Sequence, residues 1–125
     1  MTSLLPVLVI TGPRGAADAL DLPPLGAPLA YATTDTVTEQ DWSAAPMVVV
    51  DDRHITQLLG RRLPSRGGRV VALYSDRDDA GVFRRAAVLG ATEAAHVSDD
   101  MLKLHALTLV WTQQVQWEHV FGADA

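Results

Sequence analysis

The chain has 125 residues, of which 48% are apolar and 20% charged, with a formal net charge of −5. These values fit one globular domain with its own core, and the acidic balance argues against a nucleic-acid surface, which needs a basic stripe. The absence of cysteine excludes disulfides, thiolate metal sites and cysteine nucleophiles. No apolar run approaches the roughly 18 residues of a membrane span, and no secretory leader pattern is present, so we expect a cytoplasmic protein without membrane insertion.

Five short apolar segments alternate with helix-compatible stretches along the chain. We predict strands at 5–10, 28–32, 47–50, 69–74 and 93–97, and helices at 16–22, 36–45, 55–63, 75–89 and 101–119. Asp35 or Thr36 is the expected cap of the second helix, Ser75 or Asp76 that of the fourth, and Gly90 its end. Strict alternation predicts a parallel sheet with helices on both faces, a flavodoxin-like three-layer sandwich of order 2-1-3-4-5 in one domain over 1–125.

The residues that follow the predicted strands point to one functional edge. In a sheet of this order the crevice lies outside the carboxyl ends of strands one and three. Thr11 and Gly12 follow the first strand, Asp51 and Asp52 close the third, and Ser75 follows the fourth. We therefore expect these five residues to converge at that edge.

Asp51 and Ser75 resemble the phosphoacceptor and the hydroxyl residue of a phosphorelay receiver. Thr11-Gly12 stands where a receiver has two metal-binding carboxylates, and Val97 or Ser98 stands where it has a lysine. A magnesium ion offered Asp51, a backbone carbonyl and water gains too little charge to compete with its own hydration. We therefore predict a degenerate phosphoacceptor pocket with no metal, no cofactor and no catalytic residue. The alternative is that Asp51 and its neighbour are solvated strand-end or N-cap residues.

Two other sequence features have ordinary explanations. Gly12 and Gly15 lie between a strand and a helix, but the complete dinucleotide or P-loop pattern is absent, so a turn is favoured. Four arginines surround the loop at 64–68 and could dock phosphate or an acidic partner, although a solvated basic loop is favoured: Arg61, Arg62, Arg66 and Arg69. The histidines are not spaced as metal ligands.

The predicted last helix is more apolar than packing on one face of a sheet requires. Its candidate interface residues are Leu104, Leu107, Trp111, Val115 and Trp117. Tryptophan is enriched at interface anchors, and rings six positions apart cannot both point into the fold when each residue turns the helix by about 100°. We predict a homodimer that uses this helix, the alternative being that both rings pack within their own domain.

Two segments carry a more specific family resemblance: WSAAPMVVVD at 42–51 and VFRRAAVLGA at 82–91. In them the chain resembles the N-terminal receiver-like domain of actinobacterial septum-site-determining proteins, related to CpaE and TadZ pilus-assembly ATPases of the MinD/ParA class. There the domain precedes a P-loop ATPase domain, which this sequence lacks, so the resemblance implies one domain of a longer protein. It also implies a non-catalytic pseudo-receiver with partners in the cell-division or pilus-assembly machinery. A working response-regulator receiver and a small nucleotide-binding domain are the alternatives.

Overall fold

The computed structural model describes residues 6–12, 28–66, 68–97, 104, 106–111 and 113. Within them, five strands form one sheet: β1 (Val7–Thr11), β2 (Leu29–Thr33), β3 (Met47–Asp51), β4 (Arg69–Tyr74) and β5 (Glu93–His96). The strand order is β2-β1-β3-β4-β5, and every neighbouring pair is parallel. The predicted sheet order is confirmed, and each predicted strand ends within one residue of the observed end.

Three helices have described bounds: α1 (Glu39–Ala44), α2 (Ile55–Leu59) and α3 (Val82–Leu89). A 3₁₀ turn, Asp52–His54, joins β3 to α2. Residues 104, 106–111 and 113 are also helical and belong to the predicted C-terminal helix. The predicted first helix at 16–22, together with Val115 and Trp117, lies outside the described residues. Among the described helices none is both long enough and apolar enough to cross a membrane.

The core consists of two apolar layers, one on each face of the sheet. Alternate residues of β1, β3 and β4 point into the first layer, where α1, α2 and α3 contribute Trp42, Leu58 and Ala86. The intervening strand residues point into the second layer, where Leu104 from the C-terminal helical segment is fully buried. β1 and β3 are buried on both faces, which explains why their sequences are continuous apolar runs rather than alternating ones.

α1 starts later than predicted because Thr38, rather than Asp35 or Thr36, is its N-cap. Thr38 Oγ1 accepts the Asp41 N–H at 3.0 Å, and the Asp41 carboxylate accepts the Thr38 N–H at 3.5 Å, which completes a capping box. Thr36 Oγ1 instead accepts the backbone N–H of Thr33 at 3.0 Å within the turn after β2. The predicted caps are therefore wrong: the Thr36 side chain bonds within this turn, and the Asp35 backbone N–H donates to Thr33 Oγ1 in the same turn.

α2 is shorter than the predicted helix over 55–63 and ends at Leu59. Arg62 takes a left-handed backbone conformation with φ of 53°, which no α-helix continues through. Leu63 still packs against the first core layer, although it is not helical. The spacing of apolar residues over 55–63 therefore indicates which side chains are buried, but it does not indicate where the helix ends.

α3 also starts later than predicted, at Val82, and neither Ser75 nor Asp76 caps it. The loop before it is held by side-chain turns, in which Asp76 accepts the N–H of Asp78 at 2.9 Å. The predicted end is confirmed, because Gly90 has φ of 82° and its N–H returns to the last turn of the helix.

Candidate functional site

The carboxyl ends of β1, β3 and β4 meet at one edge of the sheet. β1 and β3 are in register at Ile10 and Val50, and Asp51 pairs with Leu73 of β4. The residues that end or follow these strands at that edge are the five predicted site residues: Thr11, Gly12, Asp51, Asp52 and Ser75.

The Asp51 carboxylate is held on both oxygens by Arg53. The Arg53 Nε lies 3.1 Å from both Oδ1 and Oδ2, and its Nη2 lies 2.6 Å from Oδ2. The Arg53 backbone N–H also donates to Oδ1 at 3.0 Å, so Asp51 caps the 3₁₀ turn that follows β3. Asp51 is only 4% exposed, whereas the Arg53 side chain is half exposed. A buried carboxylate is thus compensated by a guanidinium two positions along the chain.

The neighbouring Asp52 is compensated by an arginine from a different element. Arg85 of α3 donates from Nε to Oδ1 at 3.0 Å and from Nη2 to Oδ2 at 2.8 Å, and Asp52 is 8% exposed. The same Nη2 lies 2.5 Å from Asp79 Oδ2, and Asp79 Oδ1 accepts the Gly81 N–H at 2.9 Å. The hydrogen bond from Arg85, followed by that from Gly81, lowers the pKa of Asp79, while the bonds to Asp52 and Asp79 raise the pKa of Arg85.

A cavity of about 490 Å³ opens beside this network, and its lining includes Asp52, Arg53, Ser75 and Arg85. Of the predicted site residues, Asp52 and Ser75 line this cavity, whereas Asp51, Thr11 and Gly12 are not part of its lining. Thr11 is almost fully buried, and its hydroxyl donates to the backbone oxygen of Gly12 at 3.4 Å. The structure therefore places the predicted residues at one edge but divides them between this cavity and the buried ends of β1 and β3.

The receiver resemblance implies a magnesium ion at this edge, and the residues present do not fit one. Magnesium is bound through carboxylate oxygens and water. Thr11 and Gly12 supply no carboxylate, and the oxygens of Asp51 and Asp52 are engaged by guanidinium groups. In the described part of the chain no group of three or more His, Asp and Glu side chains is arranged to hold a metal ion.

The end of β5 contributes His96, which the sequence reasoning did not select. His96 is buried, and its Nε2 lies 3.0 Å from the Ser75 carbonyl oxygen, which can only accept, so Nε2 carries the proton in this contact. The Tyr74 ring meets the His96 ring edge to face at 5.2 Å. Val97, at the expected lysine position, packs against the second core layer, while Ser98 lies outside the described residues.

Two further residues of the site, Arg53 and Arg85, were not predicted from the sequence. Arg53 is two positions from Asp51 in the chain, so its ion pair with the Asp51 carboxylate could have been predicted from the sequence. Arg85 is 33 residues from Asp52 in the chain, and only the packing of α3 against the sheet brings the two together. The basic residues that the sequence did single out lie elsewhere, around the loop before β4.

The candidate interface helix is described in part. Leu104 is fully buried, and Leu107 and Trp111 are partly buried. Trp111 packs against the second core layer, and its ring lies 5.5 Å from the guanidinium carbon of Arg69, which also pairs with Glu93 at 2.8 Å. Val110 on the same segment is 58% exposed. The described part of the helix thus has a side packed on the sheet and an exposed apolar position.

We predict that Arg85→Gln raises the pKa of Asp79 toward 3.8, because the Arg85 hydrogen bond is the largest cause that lowers it. A depressed carboxyl pKa stabilises the fold above its unfolded value and loses that effect as pH falls through the folded value. The stability of the variant should therefore depend less steeply on pH below about 4 than that of the wild type. Carbon-detected NMR titration of the Asp79 carboxyl measures this.

The matched control is Arg84→Gln, which removes a neighbouring exposed arginine of α3 and should leave the Asp79 titration unchanged. An Asp79 pKa that is the same in Arg85→Gln and in the wild type would contradict the assigned network.

Comparison with known proteins agrees with the sheet order. No curated protein and no solved structure gives a significant match to the chain. A family model described as "Rv3660c-like, CheY-like N-terminal domain" matches residues 14–113. This match covers most of the sequence, and the chain therefore belongs to the family of Rv3660c-like, CheY-like N-terminal domains.

Proposed function

We propose that this CheY-like domain is a non-catalytic pseudo-receiver, which acts through protein contacts and not through phosphoryl transfer. The observation that carries the proposal is the closed state of Asp51, whose two carboxylate oxygens are both engaged by the Arg53 guanidinium. Phosphoryl transfer to an aspartate requires a free oxygen nucleophile and a metal that neutralises the phosphoryl oxygens. The pairing of both Asp51 oxygens, and the lack of a carboxylate on Thr11 and Gly12 among the described residues, argue against both requirements being met.

The charge at the site supports the same proposal. Bidentate arginine–carboxylate pairs are among the stronger charge-assisted hydrogen bonds, and Asp51 would lose this partner on attacking a phosphoryl group. Val97 supplies no cation where the receiver resemblance places a lysine, so nothing there offsets that loss by binding the phosphoryl group.

The proposed partner is an ATPase of the septum-site or pilus-assembly class, in line with the family resemblance of the two segments at 42–51 and 82–91. We place the domain in the cytoplasm, where such an ATPase acts. Its role there is to localise the ATPase and to bring two copies together. The exposed apolar residues Phe83 of α3, at 64%, and Val110 of the C-terminal helical segment, at 58%, are available for protein contacts and support this role.

We predict that the chain forms no stable aspartyl phosphate. Incubation with acetyl phosphate and magnesium, followed by intact-mass measurement, should give the unmodified mass, because Asp51 and Asp52 are paired with guanidinium groups and Thr11 and Gly12 supply no carboxylate for the metal. A working receiver domain treated in parallel is the positive control, and Arg53→Gln tests whether opening the pair alone restores reactivity, which we do not expect.

A stoichiometric phosphoryl adduct on the wild-type chain that disappears in Asp51→Asn would contradict the proposal. It would favour the working response-regulator receiver instead.

We predict that the chain is a symmetric homodimer in solution at high micromolar concentration, with the C-terminal helix in the contact. Val110→Glu should give a folded monomer, because Val110 is exposed and its substitution leaves the packed Trp111 in place. Light scattering after size-exclusion chromatography gives the mass, and circular dichroism checks the fold.

The matched control is Tyr31→Glu, an equally drastic change at a 43% exposed aromatic on β2, at the opposite edge of the sheet. A wild-type chain that is monomeric under these conditions would rule out the dimer, and dissociation by both variants would place the contact elsewhere.

A further inference from the structure

A second cavity, of about 360 Å³, lies near the amino end of β4, away from the Asp51 edge. Its walls come from α1, from α2 and the loop after it, and from the end of α3. The apolar part of the lining includes Trp42, Leu58, Leu63 and Leu89. The volume falls within the range of about 300 to 1,000 Å³ that is typical of small-molecule sites.

The charged side chains in this cavity are both basic. Arg62 and Arg66 line it, and none of the described residues in the lining carries a carboxylate, although the whole chain is acidic. The Arg66 guanidinium donates to the backbone oxygens of Trp42 and Ala45 and lies 5.9 Å from the centre of the Trp42 ring. Among the described residues, the Arg66 guanidinium is therefore paired with neutral carbonyl groups and not with a carboxylate. The cavity retains a net positive charge.

The partial burial of Arg66 favours an anion beside its guanidinium group. Its Nε is buried and has no hydrogen-bond partner among the described residues. Burial lowers the pKa of Arg66, the direction expected of a cation taken partly out of water without an acidic partner. An anion placed beside the accessible part of this guanidinium would supply the missing negative charge.

The backbone around the cavity is shaped to keep the two arginines in place. Arg62 has φ of 53°, a left-handed conformation that is unfavourable for a non-glycine residue. A Cβ at Gly68 would collide with Nη2 of Arg66, so glycine leaves the space that the guanidinium fills. Trp42 Nε1 donates to the Pro64 carbonyl at 2.7 Å and ties the loop to α1. Strain of this kind persists where surrounding contacts fix it, and it is concentrated at ligand sites.

We propose that this cavity binds a small carboxylate with a compact apolar body, its carboxylate on Arg62 and Arg66 and its apolar part against the leucine side chains. Planar guanidinium groups match a carboxylate in a bidentate arrangement. The apolar walls favour a ligand with a hydrocarbon body over inorganic phosphate, which would leave them uncovered. This site is separate from the Asp51 edge, so the proposal does not depend on the proposed function.

The test is an NMR titration of the full chain with 4-phenylbutyrate, its neutral amide and inorganic phosphate as three separate probes. We expect a saturable shift of the Trp42 indole N–H and of amides around Gly90 with the carboxylate. Binding of the amide should be weaker by about tenfold, the effect of losing one charge-assisted hydrogen bond. Inorganic phosphate should bind more weakly than the carboxylate.

Two variants should alter the cavity in different ways, and we expect both to fold. Arg62→Gly removes a charge and relieves the left-handed backbone, and Gly68→Ala displaces the Arg66 guanidinium but keeps its charge. Both should weaken binding of 4-phenylbutyrate several-fold. Arg84→Ala, which removes an exposed arginine of α3 outside the lining, is the matched control and should leave binding unchanged. Equal binding of acid and amide, no saturable shift, or wild-type affinity in both cavity variants would overturn the proposal.

Discussion

Two adjacent aspartates at the end of a buried strand set the main constraint on this domain. β3 is covered on both faces and flanked by β1 and β4, so Asp51 and Asp52 are almost fully removed from water. An ionised carboxylate in such a place destabilises the fold unless it is paired and hydrogen-bonded. Each aspartate therefore has its own arginine, Arg53 from the following turn and Arg85 from α3.

These two pairings shape the elements around them. Asp51 caps the turn that carries Arg53, so the chain leaves β3 in a 3₁₀ conformation before α2 begins. Arg85 ties α3 to the end of β3 and also holds Asp79 in the loop before the helix. The loop is thus fixed by side chains, and α3 starts only at Val82. In a phosphorelay receiver, the aspartates at this edge bind a metal ion and accept a phosphoryl group. Here the negative charges of Asp51 and Asp52 are balanced by arginine side chains of the same chain.

The sheet was predictable from sequence because parallel strands buried on both faces are continuous apolar runs bounded by turn residues. The location of Asp51 at the carboxyl end of β3 was predictable because Asp51 closes one of these apolar runs. Helix starts were less predictable, since Thr36 and Asp76 are good caps by type but are used by turns. The ion pair between Asp52 and Arg85 could not be predicted from the sequence, because it depends on how α3 packs against the sheet. Local sequence patterns thus predict where the site lies, whereas the pairing of its charged side chains depends on contacts between residues far apart in the chain.

Guanidinium groups pair with both aspartates at this edge, so we expect no metal ion to bind there. Paramagnetic manganese tests it directly, since a bound ion broadens the NMR signals of the residues around it and magnesium would compete for the same oxygens. At manganese concentrations that saturate a working receiver, the amide signals of Asp51 and Asp52 should broaden no more than those of exposed acidic residues such as Glu39. Selective broadening at Asp51 and Asp52 that magnesium reverses would contradict the account.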